Sequence, residues 1–406
     1  MKENQNNPTG RWGILAAGVA TMLFAGVLYA WSILKVPFAT ELGYDASSLA
    51  LAFTLAMSFF CLGGFLSGRL TRRIGARPVL LLSGILAAVG FLLTGRLGAD
   101  RVALLYLTYS LLAGLGIGMA YIAIISTVNA WFPDRRGLSS GALMMGFGAS
   151  TLILGNLADV LFATELGWRG TYTLVGVAIG AVVCLSSLII RAPGPQTVLP
   201  QAKRAAARRE DFEARDFTPS EMIRRFTFWR AFIALVCLTA VGSSVISFAR
   251  DLALSVGAQA SLATTLVGVL AVCNGLGRIV TGAVFDAMGR RFTMIAAGVL
   301  TIVAAAVTLI SVSLGSLPLC IVGLCLTGMS YGTSPTVSSA FTSAFYGQKH
   351  FASNLSISNF NLMAASFIAT ACTALQTSSG SYTAPFVLLL ALSAIALALN
   401  ISIKKP

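Results

Sequence analysis

The sequence predicts an all-α membrane protein of twelve transmembrane helices, and three observations carry that prediction. The 406 residues are 56% hydrophobic and only 10% charged. Their mean hydropathy is +0.84. The apolar residues also gather in twelve runs, at 12–34, 48–68, 78–98, 102–128, 137–162, 171–190, 227–249, 260–285, 293–313, 317–343, 351–375 and 384–403. A hydrocarbon core of ~30 Å needs about 20 mostly apolar residues of helix to cross it, and each run is about that long. Forty glycines fit the same class, because small residues let membrane helices approach closely.

Taken in order, the chain starts polar, MKENQNNPTGRWG, without the charged, apolar and small-residue pattern of a cleaved signal peptide. The first run is then the targeting segment. Lys and Arg, which favour cytoplasmic loops, set the direction of the rest. With both termini cytoplasmic, 22 of the 28 basic residues fall on that side, among them Arg72, Arg73, Arg77, Arg290 and Arg291. Only Lys35, Arg96, Arg101, Arg169 and Arg250 fall outside, and Arg278 lies within a run. The expectation is a multi-pass protein of the cell (inner or plasma) membrane with both ends inside.

After the sixth run, residues 191–226 form the longest polar stretch, with Pro193, Pro195 and Pro200 followed by mixed charges. It reads as a cytoplasmic linker between an N-terminal six-helix bundle, 1–190, and a C-terminal one, 227–406. An internal repeat supports the division. Gly68, Arg72, Arg73 and Gly75 join the second and third runs, and Gly282, Asp286, Gly289, Arg290 and Arg291 join the eighth and ninth, 214 residues later. Paired repeats around a midplane site are a known plan of secondary transporters.

Several function classes are excluded. The net charge of +14 sits in short loops instead of one folded surface, which argues against nucleic acid. Seven scattered cysteines without CxxC or Cys/His spacing read as buried apolar side chains, so neither a metal nor a disulfide is expected. No HExxH, Walker loop or Ser-His-Asp set is present, and the single histidine, His350, falls in a loop. The chain is therefore not expected to be an enzyme, nor to need a cofactor. A sensor built on an inactive transporter fold would be expected to carry an appended signalling domain, for which neither terminus leaves room.

Runs 3, 6, 9 and 12 are almost uniformly apolar, whereas runs 1, 4, 8, 10 and 11 carry Tyr, Asn, Ser, Thr and one Arg. This asymmetry marks a lined cavity. Arg278 lies about eight residues, ~12 Å, from the turn at Asp286. An Arg at a helix centre costs about 2.5–3.5 kcal/mol to insert, and no acidic residue lies mid-membrane to neutralise it; Asp159 and Glu165 fall toward the outer end. Its counter-ion is then either an anionic substrate, whose carboxylate the guanidinium fork matches, or backbone carbonyls. Tyr29, Tyr121 and Tyr331 are hydrogen-bond donors for the same cavity or packing groups. Lys35 is a coupling residue or a lysine snorkelling to the interface.

The loop Gly282-x-x-x-Asp286-x-x-Gly289-Arg290-Arg291 resembles the GxxxDxxGRR signature of the major facilitator superfamily; Arg72 replaces the acid in the first copy. That resemblance implies a cytoplasmic gate in which Asp286 pairs with nearby arginines, the candidates being Arg73, Arg77, Arg290 and Arg291. Three longer strings, Gly26-Val-Leu-Tyr29-Ala-Trp31, the stretch from Asn129 to Gly141, and Asp216 to Trp229, are similar to the oxalate:formate antiporter family and its monocarboxylate transporter relatives. By the string Asn274-Gly-Leu-Gly-Arg278, the resemblance makes Arg278 the carboxylate-binding residue, with Asn274 where the animal relatives carry an Asp. Leu362 stands where the oxalate carrier has a second cation, a lysine. One cation fits one carboxylate, so the expectation is a small monocarboxylate of the lactate or pyruvate type, moved with a proton by alternating access, with Lys35 as the proton-coupling candidate. The alternative is an organic anion exchanger of the oxalate/formate type. The expected partners are the monocarboxylate anion, the proton and the lipid bilayer, with no nucleic acid and no obligatory protein partner.

Overall fold

A computed structural model describes residues 10–99, 101–132, 136–194, 197, 216–347 and 350–403. Among the described residues there is no strand, and twelve helices are long and apolar enough to cross a membrane. They are α1 (Gly10–Thr40), α2 (Ala46–Ile74), α3 (Ala76–Thr94), α4 (Val102–Asn129), α5 (Leu138–Phe162), α6 (Gly167–Ile189), α7 (Phe226–Ser255), α8 (Ala260–Phe285), α9 (Arg291–Leu314), α10 (Leu317–Tyr346), α11 (Ser353–Ser379) and α12 (Thr383–Ser402). Their number and order match the twelve apolar runs.

The ends differ from the runs in an instructive way. Hydropathy marks the length immersed in hydrocarbon, whereas a helix satisfies its own backbone and can continue beyond it. Thus α1 passes through a 3-10 turn at Gly26–Ala30 and a short segment starting at Val36, where Pro37 sits in the first turn; a missing N–H is tolerated there. α7 bends at Phe248 (φ −133°, ψ 16°) and carries Arg250 and Asp251 past the apolar run. α3 stops earlier than its run, at Thr94, capped by Gly95.

The helices form two six-helix bundles that meet along α1–α7, α2–α11 and α5–α8. The apolar helices α3, α6, α9 and α12 carry exposed large side chains, for example Ile85, Val177, Val303 and Ile395. In a membrane such a surface meets lipid tails. The repeat seen in the sequence is repeated in the backbone. Gly75, just after α2, has φ 84° and ψ 168°, and Gly289, in the turn between α8 and α9, has φ 77° and ψ 177°. That region is accessible essentially only to glycine. Gly43 and Gly257, before α2 and α8 and again 214 residues apart, both have positive φ, 68° and 89°.

The same offset governs the close helix contacts that set the frame of the site. A Cβ on Gly118 of α4 would run into the Phe60 carbonyl of α2, and one on Gly332 of α10 would run into the Asn274 carbonyl of α8. Gly63 against Leu115 and Gly277 against Met329 repeat the match. Without side chains at these positions α10 comes close enough to α8 to hold the backbone on which Arg278 is mounted.

Candidate functional site

Arg278 sits between the two bundles, with 8% of its surface exposed. Its Nε donates to Asn274 Oδ1 one helical turn back, at 3.3 Å. Its Nη1 donates to the Tyr121 hydroxyl at 3.4 Å and touches the Met144 sulfur of α5. Among the described residues Arg278 has no ion pair. The partners it does have, an amide, a hydroxyl and a thioether, are neutral dipoles, although burying an unpaired charge is costly.

Arg278 lines a cavity of about 40 Å³. Tyr29, Phe60, Tyr121 and Leu362 contribute to its wall. Tyr29 and Tyr331 approach hydroxyl to hydroxyl at 3.3 Å across the bundle interface. Phe147 stacks edge-on against both Tyr29 and Tyr121, with ring centroids 5.1 and 5.2 Å apart. Pro335 of α10 also lines the space; lacking an N–H, it leaves the Tyr331 carbonyl without its usual helical donor. The lining continues through Ile122, Ser356 and Asn359, toward the end of the molecule where α2 ends and α11 begins.

At the opposite end, charges tie the bundles together. Lys35 Nζ lies 2.6 Å from Asp251 Oδ2 and donates to the Ser247 carbonyl at 3.2 Å, joining α1 to α7. Arg250 faces Asp159 at 4.0 Å, and the Thr264 hydroxyl donates to Asp159 at 2.9 Å. Thr54 of α2 donates to the Ser366 carbonyl of α11 at 2.6 Å.

The structure thus brings Arg278, Asn274, Tyr29, Tyr121 and Tyr331 into one cluster, with Leu362 in the same wall. Lys35 is elsewhere, at the far end and in an ion pair. Of the gate residues, Arg73, Arg77 and Arg291 are exposed at helix ends, while the side chains of Asp286 and Arg290 lie outside the described residues. Arg72, not among those candidates, donates from Nη2 to Ser353 Oγ at 3.3 Å and so bridges α2 to α11. Sequence reasoning missed Phe60, Gly64, Phe147 and Met144 in the site and Asp251 at the far end. The repeat offset was a usable signal for two of them: Phe60 is the counterpart of Asn274, and Gly64 that of Arg278.

Twelve membrane-spanning helices in two bundles, with a cation-bearing cavity at their interface, define a polytopic membrane protein built around a central site. Residues 14–370 match the model of the Major Facilitator Superfamily, and the chain belongs to that family of transporters. It is 30% identical over 286 residues to the oxalate:formate antiporter of Oxalobacter formigenes, covering 70% of this chain and 65% of that protein. It is 26% identical over 349 residues to the uncharacterized MFS-type transporter YhjX of Escherichia coli, covering 86% of this chain and 83% of that one. Human monocarboxylate transporter 2 is 26% identical over 229 residues, 55% of this chain and 45% of its own length. The chain thus spans less than two thirds of the antiporter and about half of the monocarboxylate transporter. Among solved structures, a bacterial homologue of the human lysosomal transporter Spinster, in an inward-facing and occupied conformation, superimposes with a TM-score of 0.72 at 15% identity, over 98% of this chain and 97% of that one. The fold is therefore that of the family, and the protein is a multi-pass protein of the cell membrane.

Proposed function

We propose that this protein is a secondary active transporter of small monocarboxylates, of the lactate and pyruvate type, in which Arg278 binds the carboxylate. The observation that carries the reading is the buried Arg278, lining a cavity and lacking an acidic partner among the described residues. An Arg fork and a carboxylate make charge-assisted, bidentate hydrogen bonds, and Tyr29, Tyr121 and Tyr331 stand ready to donate to the rest of the anion. The names of the relatives, an oxalate:formate antiporter and monocarboxylate transporters, favour an organic anion as cargo. Leu362 in the cavity wall favours one negative charge over the two of oxalate. No catalytic residue, cofactor, metal, nucleic acid or obligatory protein partner enters this reading.

Alternating access is proposed as the motion, with the bundles 1–190 and 227–406 rocking about the site and 191–226 linking them on the cytoplasmic side. The ionic ties at one end and the cavity's reach toward the other support a state open toward the linker. Asp286 with Arg290, Arg291, Arg73 and Arg77 is proposed as the cytoplasmic gate of the opposite state. Moving an anion inward against a negative-inside potential costs about 2.3 kcal/mol per charge per 100 mV; a proton moving with it cancels that cost. We assign the proton-linked step to Lys35, whose partner Asp251 supplies the nearby carboxylate.

The test is uptake of labelled lactate and pyruvate into proteoliposomes, with oxalate and formate as competitors and an imposed pH gradient. Saturable uptake driven by inward protons and lost in Lys35→Ala and Asp251→Ala is the expected result. Uptake that requires internal oxalate or formate and ignores the gradient would select the exchanger instead.

A further inference from the structure

We infer that Gly64 is a specificity-determining position, the place where the first bundle sets how large the non-carboxylate end of the substrate can be. The inference rests on the monocarboxylate reading and adds the orientation of the substrate within the site. Gly63 and Gly64 are adjacent but do different work. A side chain at Gly63 would run into the Leu115 carbonyl of α4, a backbone obstacle. A Cβ at Gly64 would meet only the Ile122 Cγ1 side-chain atom closely, at 2.9 Å, and then nothing nearer than the Gly118 carbonyl at 3.6 Å. Gly63 is therefore held by a backbone that cannot move, whereas at Gly64 the obstacle is a side chain that must shift to admit a methyl.

The second bundle shows what such a position is for. Counted by the repeat, Gly277 is the counterpart of Gly63 and likewise packs against a backbone carbonyl, that of Met329. Arg278, the counterpart of Gly64, projects from the same turn into the same cavity that Gly64 lines. One turn earlier, Asn274 hydrogen-bonds the guanidinium, and its counterpart Phe60 offers an aromatic wall. The second bundle thus presents a cation held by an amide, and the first a backbone flanked by Phe60 and Ile122. A carboxylate docked on Arg278 directs its carbon tail at the Gly64 backbone, beside which the Ile122 side chain fills the space a Cβ would take and so limits how large the tail can be.

The test is a competition series in proteoliposomes holding the full chain, with unbranched and branched monocarboxylic acids of increasing length from acetate upward. It compares wild type, Gly64→Ala, Ile122→Ala and the double variant. One methylene in an apolar pocket changes discrimination by about 10- to 200-fold. In Gly64→Ala the KM of the longest accepted acid, relative to that of acetate, is expected to rise on the order of 10-fold. Ile122→Ala is expected to move the ratio the other way, and the double variant to return it toward wild type, because Ile122 Cγ1 is the atom the new methyl meets. An unchanged ratio in both single variants, or a loss equal for all acids, overturns the inference while the wild type still carries monocarboxylates. A wild type that carries none of the series overturns the functional reading and the inference with it.

Discussion

The α2–α4 pair of the first bundle and the α8–α10 pair of the second share one scaffold and differ in chemistry. Both pairs press a glycine of the later helix, Gly118 or Gly332, onto a carbonyl of the earlier one, and both follow the earlier helix with a glycine in a conformation closed to other residues. Yet on the cavity side the first pair offers Phe60, Gly64 and Tyr121, the second Arg278 and Pro335, with Asn274 hydrogen-bonded to the guanidinium. The positions that hold backbones together agree between the halves, and those that line the cavity differ. A position that differs between halves while its neighbours agree is where chemistry resides.

The largest effect should come from removing the charge that only one half carries. Arg278→Ala is expected to lower substrate affinity on the order of 100-fold or more, since breaking a buried ion pair by removing one partner costs about 3–5 kcal/mol. Arg278→Lys should fail as well, because an ammonium cannot reproduce the planar fork. Both proteins should still insert and purify as the wild type does. Near-normal lactate affinity in Arg278→Ala, measured by binding to the purified protein, would break the comparison at its centre.

Next in size is the shared scaffold itself. Gly118→Ala and Gly332→Ala each push a methyl into a backbone carbonyl that cannot step aside, and overpacking costs about 1–3 kcal/mol. The two variants should lose comparable thermal stability in detergent, although only one of them lies beside Arg278. A loss confined to Gly332→Ala would mean that the site, and not the duplicated packing, explains that glycine.

A smaller shift follows from adding a charge where the cavity wall is apolar. Leu362→Lys sets a second cation in the same cavity as Arg278. Hydrogen bonds to charged groups are worth about 1.5–3 kcal/mol, so oxalate should compete on the order of 10-fold better against lactate than it does in wild type. Unaltered competition by oxalate would remove Leu362 from the list of residues that select the cargo.

The fold was legible because hydropathy reports immersion in lipid directly, and twelve runs became twelve helices. Arg278 was legible for the same reason, as the one charge the bilayer should not tolerate without a use. Lys35 was found as a cation near an interface, but its partner was not. Asp251 lies 216 residues away and beyond the apolar run of α7, and only the bend at Phe248 and the bundle interface bring the two within 2.6 Å. Phe147 and Met144 stayed hidden because an aromatic ring and a thioether in an apolar helix look the same whether they pack or line a cavity. Gly64 could have been read, since it follows from Arg278 by the repeat alone.

The smallest difference between the halves lies at the first turn of α2 and α8, and it offers a test independent of the site. Asp45 and its counterpart Gln259 cap these helices with nearly the same backbone, φ −69° and ψ 154° against φ −68° and ψ 153°. Only Asp45 caps with its side chain, accepting from the Ser48 N–H at 2.9 Å. Hydrogen bonds from Ser48, through its side chain and then its backbone, hold the Asp45 carboxyl below the usual carboxylate range. A carboxyl so lowered contributes stability above its unfolded-state value of about 3.9 and loses it as the pH falls through the lower folded value. Replacing an N-cap Asp by Ala costs about 1 kcal/mol. Asp45→Ala should therefore lower the detergent melting temperature slightly at pH 7, with the gap to wild type closing as the pH drops below the ordinary carboxylate range. Gln259→Asp should raise it at pH 7, because the matching backbone lets a carboxylate take up a cap that glutamine does not make. A Gln259→Asp protein no more stable than wild type would show that the two turns, alike in backbone, are not equivalent in what they can bind.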